Sequence, residues 1–163
     1  MRRIRLVSTA IMGTFAQMVY SNQSRLHRLW LVAPWIGDDS TNGALALLLE
    51  ALRGTRASVV VVTRPPTQAW HARAVQALRD HGRAIVYTCP NLHTKLYIAE
   101  CNGFRGAILG SPNLTRRAEL MNLELAIELR STTDSPTDDV ETVLCQLSQY
   151  ASDLRQDDDV ALA

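Results

Sequence analysis

The chain has 163 residues, 47 % of them hydrophobic and 20 % charged, which is material for one good core and hardly two, so a single domain is expected. The formal net charge of +1 hides an asymmetry: residues 1–130 hold sixteen Lys+Arg against eight Asp+Glu, and residues 131–163 hold one against eight. Three cysteines without close spacing argue against a disulfide framework or a zinc knuckle, and no run reaches the ~20 apolar residues of a membrane span.

The start, MRRIRLVSTAIMGTFAQMV, imitates a secretory leader, but polar residues interrupt its apolar run. Together with the cysteine usage this implies a reducing compartment, the cytoplasm. Residues 8–23 read as a helix. RLWLVAPWI, 28–36, is a short apolar run closed by Pro and Gly, as a buried strand is. Asp38 to Ser40 marks a helix start, and Ala44, Leu45, Leu47, Leu48, Leu49 and Leu52 make an apolar helix ended by Gly54. ASVVVVT, 57–63, is β-branched and apolar on both faces, which predicts an inner strand covered on both sides.

Residues 67–81 form the next helix, with Ala69, Ala72, Val75 and Leu78 along one side and Gly82 at its end. AIVYT, HTKLYIAE, FRGAILGS and LMNLELAIEL follow as four strands in quick succession. Val140, Val143, Leu144 and Leu147 give an amphipathic helix over 137–152, and the acidic tail DLRQDDDVALA, 153–163, is expected to fray. The reading is one α/β domain over 1–152, a β-α-β-α half followed by a β-rich half.

The chemistry concentrates between 93 and 124. Sixteen of the seventeen basic residues are Arg, and the one lysine of the chain is Lys95; a compact ammonium fits where a planar guanidinium does not. On a strand alternate side chains share a face, so His93, Lys95 and Tyr97 are expected together, with Leu96 and Ile98 opposite. Ser111 and Asn113 repeat the spacing after Gly110, a residue that lets the backbone turn or approach a ligand. In 122–129 the leucines and isoleucine are expected to face the core, which puts Asn122 and Glu124 on the other face, with Glu124 placed to orient a histidine ring.

An imidazole, an ammonium, a hydroxyl, a carboxamide and a carboxylate are the groups needed to hold a phosphodiester and attack it. They contain no cluster of carboxylates or imidazoles for a divalent ion, so neither metal nor cofactor is expected. Trp35 and Arg64 follow strand ends, where open α/β sheets place ligands, and Arg116 with Arg117 follows the motif; these four are candidates for substrate contact. The basic body suits a polyanion such as nucleic acid.

His93-Thr94-Lys95, then Gly110-Ser111-Pro112-Asn113-Leu114-Thr115, then Asn122-Leu123-Glu124 resembles the phospholipase-D-like superfamily, whose signature is His-x-Lys, an acidic residue and Gly-Ser-x-Asn. The acidic position here is Glu100 in place of the usual Asp, and the interval from it to Gly110 is three residues longer than the common form, with Asn102-Gly103 suggesting a longer hairpin. The resemblance implies a mixed β-sheet flanked by helices on both faces, and a two-step, metal-free displacement through a phosphohistidine. It implies catalytic roles for His93, Lys95, Ser111, Asn113 and Glu124. Two motifs are needed and this chain has one, which implies a homodimer sharing its site, as in short bacterial nucleases of that kind. The resulting expectation is a DNA endonuclease of restriction or phage-defence type, with a catalytically dormant nucleic-acid-binding or scaffold subunit of a defence assembly, working with partner proteins, as the alternative.

Overall fold

In the computed structural model of the chain the described residues are 3–37, 43–81, 83–115, 117–118, 122–132, 139–157 and 159–162. The strands β1 (Arg3–Val7), β2 (Leu26–Val32), β3 (Ser58–Thr63), β4 (Ala84–Thr88), β5 (Leu96–Cys101), β6 (Phe104–Gly110), β7 (Ala126–Ser131) and β8 (Ala161–Leu162) form one sheet in the order β1-β7-β6-β5-β2-β3-β4-β8. Helices α2 (Ala44–Leu52) and α3 (Ala69–Asp80) are the crossovers that let β2, β3 and β4 run parallel. The remaining pairs, β1 with β7, β7 with β6, β6 with β5, β5 with β2 and β4 with β8, are antiparallel.

The period-two alternation of the inner strands feeds two cores. Leu29, Leu31, Val59, Val61 and Tyr97 pack with α1 (Ile11–Tyr20), α2 and α3, whereas Trp30, Val32, Val60, Val62, Leu96 and Ile98 pack on the other face with α4 (Asp139–Asp153). Each such fully buried side chain contributes roughly 1.5–3 kcal/mol. This is the expected α/β architecture, a mixed sheet with helices on both faces. No helix among the described residues is long and apolar enough to cross a membrane.

Several sequence expectations need correction. The helix of 8–23 is shorter, and the arginine-studded segment before it is a strand, β1, at the edge of the sheet. Its Arg5 lies across from Glu128 and pairs with it; that carboxylate is fully buried and also meets Arg130. Burial of this charge is tolerable because two guanidiniums flank it, and it reverses the expected face of the segment: Leu123, Leu125 and Ile127 are exposed, while Ala126, Glu128 and Leu129 are buried. Among the described residues of that segment the strand begins at Ala126.

The strand expected over 93–100 begins at Leu96, so His93 and Lys95 sit in the entry loop. Tyr97, expected beside them, is buried in the core, 5.6 Å from the Phe15 ring. Asn102-Gly103 forms a two-residue turn closed by the Cys101–Phe104 pair, with Gly103 at φ 74°; the added length lies in the strands themselves. Finally, the tail does not fray over its described part. Leu154 and Val160 pack on the α4-side core, Arg155 lies 5.3 Å from the Trp30 ring, and β8 pairs with β4. These few apolar contacts hold the segment despite its acidic composition. The expected helix start at Asp38 to Ser40, and Gly82, lie outside the described residues.

Candidate active site

Because β5 runs antiparallel to β2 and pairs Leu96 with Val32, the entry to β5 lies at the carboxyl end of the parallel strands. The exit of β6 and the entry of β7 meet there too, since Leu109 pairs with Leu96 and Gly110 with Ala126. His93 and Lys95 before β5, Ser111 and Asn113 after β6, Glu124 before β7, Trp35 after β2 and Arg64 after β3 therefore converge on one end of the sheet, where open α/β sheets bind ligands.

Gly110 makes the convergence possible. A Cβ there would lie 2.6 Å from Ala126 Cα and 2.8 Å from Ala126 Cβ, and closer still to the Leu125 carbonyl oxygen. The close approach lets the Ser111 N–H donate to Leu125 O at 3.0 Å while the Leu125 N–H donates to Ser111 Oγ at 3.0 Å. The Ser111 hydroxyl then donates to Glu124 Oε2, and Asn122 Nδ2 donates to Glu124 Oε1 at 3.0 Å. Beneath this network the Tyr97 hydroxyl donates to Pro112 O at 2.8 Å, and its pKa is pushed up by burial and secondarily by the Glu124 carboxylate. The phenol is thus a structural donor that pins the Gly-Ser-Pro-Asn loop to the core.

His93 is exposed, and its Nε2 receives an N–H from Arg64 Nη2 at 3.1 Å. A guanidinium is a donor only, so in this arrangement Nε2 is the unprotonated ring nitrogen and its lone pair accepts the Arg64 N–H. Arg64 is itself fixed by Nε donating to Leu92 O at 2.9 Å and by lying 5.5 Å from the Trp35 ring. The Trp35 backbone N–H donates to Asn113 Oδ1 at 3.3 Å, which leaves the Nδ2 donors of that amide for a ligand. Lys95 is half-buried and has no ion-pair partner among the described residues. Thr94, between His93 and Lys95, shares a 2.7 Å hydrogen bond with Tyr150 of α4.

The sequence-predicted residues are thus brought together, with one change of role: within one chain Glu124 binds Ser111 and Asn122, and the group that meets the histidine ring is Arg64. Glu100, at the acidic position of the motif, is buried on β5 opposite Arg28, at 3.6 Å from its guanidinium, and stays with the fold. Cys89 is a buried free thiol. Arg117 is exposed and Arg116 lies outside the described residues.

Sequence reasoning missed Trp70. A cavity of about 510 Å³ opens beside Asn113, walled by Trp35 and Trp70 and edged by Gln68, Thr115, Asn122 and Arg117. The available signal was position: Gln68 and Trp70 begin the helix that follows the end of β3, at the ligand-binding end of the sheet.

The fold has solved counterparts. The chain is similar to a phospholipase D family member, Nuc from Salmonella typhimurium, with a TM-score of 0.62 at 20 % identity over 91 % of this chain and 93 % of that one. It is similar to NucT from Helicobacter pylori, with a TM-score of 0.68 at 14 % identity over 100 % of both chains. The yeast tyrosyl-DNA phosphodiesterase superposes with a TM-score of 0.50 at 16 % identity, over 100 % of this chain and 42 % of that one. No family model matches the chain, and no curated protein matches it by sequence. The fold is phospholipase-D-like.

Proposed function

We propose that the chain is a phosphodiesterase that hydrolyses nucleic acid, DNA above all, as a cytoplasmic endonuclease whose active unit is a homodimer. The observation that carries this reading is the gathering of His93, Lys95, Ser111, Asn113, Glu124 and Arg64 at one end of the sheet. As the Arg64 guanidinium turns from His93 to the phosphate, the Nε2 lone pair it releases attacks phosphorus, a P–N bond forms, and the P–O bond to the leaving strand breaks. Lys95 and Arg64 neutralise the non-bridging oxygens, and Asn113 Nδ2 donates to them. The leaving oxygen takes a proton from the partner subunit's His93. Water then attacks the phosphohistidine, the P–N bond breaks, and the partner's His93, now the free base, accepts the proton from water.

The chemistry of the residues favours catalysis without a metal ion: the phosphate seat is set by cations, and its one carboxylate is already hydrogen-bonded to Ser111 and Asn122. The test is incubation of the purified protein with labelled single- and double-stranded DNA and RNA in excess EDTA, beside His93→Ala. Cleavage that persists in EDTA, disappears in His93→Ala and is inhibited by orthovanadate or tungstate is expected. Activity lost to chelator and restored by magnesium would overturn the mechanism.

A further inference from the structure

We propose that the cavity lined by Trp35 and Trp70 is a nucleobase site, and that the substrate of the neighbouring phosphodiesterase centre is therefore an unpaired, single-stranded nucleic acid. The inference rests on the phosphodiesterase reading and adds the part of the substrate that reading leaves open. Two features make the cavity a built site. The Trp70 ring is fixed from beneath: it stacks on His71 at 5.6 Å and 26°, and it lies over Gly37, where a Cβ would come 2.8 Å from its Cε3. Trp35 stands 6.0 Å from Trp70 and 5.5 Å from His71, so the two indoles and the imidazole form one aromatic wall. His71 is itself buried, held by Thr63 Oγ1 at 3.0 Å and kept neutral by burial, so it serves the wall as a ring and brings no charge.

The edge of the cavity carries the groups that hydrogen-bond to base edges. Gln68 and Asn122 offer amides and Thr115 a hydroxyl, while Arg117 stands exposed for a backbone phosphate. The volume of about 510 Å³ falls within the roughly 300–1,000 Å³ of ordinary small-ligand sites. Two arginines near the aromatic wall, Arg64 at 5.5 Å from the Trp35 ring and Arg117 at the rim, oppose a cationic ligand and suit an anionic one.

The cavity is joined to the reacting centre on three sides. Asn113 lines the cavity and belongs to the motif; the Trp35 ring faces Arg64, which meets His93; and Asn122 holds Glu124. A phosphate seated at His93 thus has its flanking nucleotide within reach of the indoles. Indole stacking needs a free base face, which a paired and stacked duplex does not present, whereas single strands stack on such platforms without sequence preference.

The test is binding, independent of cleavage. Fluorescence anisotropy would compare a labelled oligodeoxythymidine of about twelve nucleotides, within the site sizes known for single-strand binders, with a backbone of equal length lacking bases. It would use the dimer carrying the exposed His93→Ala change, and the same protein with Trp70→Ala or Trp70→Phe. The base-containing strand should bind tighter by between about fivefold and 150-fold, the range of one stacked base; Trp70→Ala should erase that ratio and Trp70→Phe should keep most of it. A ratio of two affinities is insensitive to the fraction of folded protein, so a partly unfolded Trp70→Ala still reports. Equal binding of the two strands, or a ratio that survives Trp70→Ala, would overturn the base site and leave the phosphodiesterase reading standing. Failure of both strands to bind would overturn the nucleic-acid reading and this inference with it.

Discussion

Replacing Gly110 with alanine should damage the site and the fold together, and the structure sets the size of the effect. The new Cβ would sit 2.6 Å from Ala126 Cα and closer still to the Leu125 carbonyl oxygen, whereas 3.4 Å is the start of ordinary contact, so β6 and β7 must part by at least roughly 0.8 Å. The obstructing atoms are backbone and a Cβ, which cannot rotate away. A parting of that size carries the 3.0 Å bonds between Ser111 and Leu125 toward about 3.8 Å, beyond hydrogen-bond reach. Overpacking costs about 1–3 kcal/mol, or a fall in Tm of about 2–12 °C for a chain of this size. A displacement near 1 Å at a reacting group costs about a hundredfold in rate. The assays are a calorimetric melt and phosphodiester cleavage in EDTA. Gly54→Ala is the control: its φ of 77° strains any side chain, but no atom lies within 4 Å, so it should lower Tm and leave activity intact. Gly110→Ala with wild-type Tm and rate would refute the account of how the motif loop is seated.

Lys95→Arg should lose at least about a hundredfold in rate, nearly as much as Lys95→Ala, because charge is kept and shape is not; wild-type cleavage by Lys95→Arg would show that the lone lysine has no chemical reason. Adding excess His93→Ala chains to wild type, with time for exchange, should depress activity per wild-type chain as mixed dimers replace wild-type pairs, and a fully active monomer by sedimentation at assay concentration would refute the shared site. Stability should fall on acidification through His71, whose pKa burial lowers below 6.5. The unfolded chain then binds a proton the fold refuses, so this contribution is complete above pH 6.5 and is lost as pH falls from 6.5 toward the folded value. Urea unfolding at pH 7.5 and 5.5 should show that slope in wild type and a flatter one in His71→Gln; equal slopes would reject it.

Much of the architecture was written in local patterns. ASVVVVT reads as an inner strand because apolar residues on both faces leave no polar alternative, AIVYT reads as a strand from its β-branched and aromatic residues, and they lie within a residue of β3 and β4. The motif residues were legible because a histidine, a lysine and a Gly-Ser-Pro-Asn turn have few other reasons to occur at those spacings. What failed were judgements that depend on a partner distant in sequence. Leu123, Leu125 and Ile127 were read as core from their own hydrophobicity, but the face of β7 is decided by Glu128, buried between Arg5 of β1 and Arg130. β1 itself was hidden because its arginines resemble a leader, although alternating Arg3-Ile4-Arg5-Leu6 is also how an edge strand protects itself. The role of Arg64 beside His93 needed the crossover from β3 to the β5 entry, which no local window contains.

The exposed leucines misread as core have a bearing on the count of histidines. Hydrolysis through His93 needs a second group to protonate the leaving oxygen. Arg64, the side chain that meets His93, cannot give up its proton at neutral pH. Glu124 is held by Ser111 and Asn122, and His71 is buried against Thr63 beneath the two tryptophans. In the proposed reading the imidazole that completes the reaction comes from another copy, and the chain offers a surface for one. Leu123, Leu125 and Ile127 are exposed beside Glu124, and across the ladder Leu6 and Ile4 continue the apolar strip along β1, opposite Ile127 and Leu129. Burying such side chains stabilises an interface by up to roughly 1.5–3 kcal/mol each, and a strip that starts at Glu124 brings whatever covers it to the edge of the motif. One seam would then both remove this apolar surface from water and deliver the second histidine, which is why Ile127→Lys should yield monomers that keep the fold and lose cleavage.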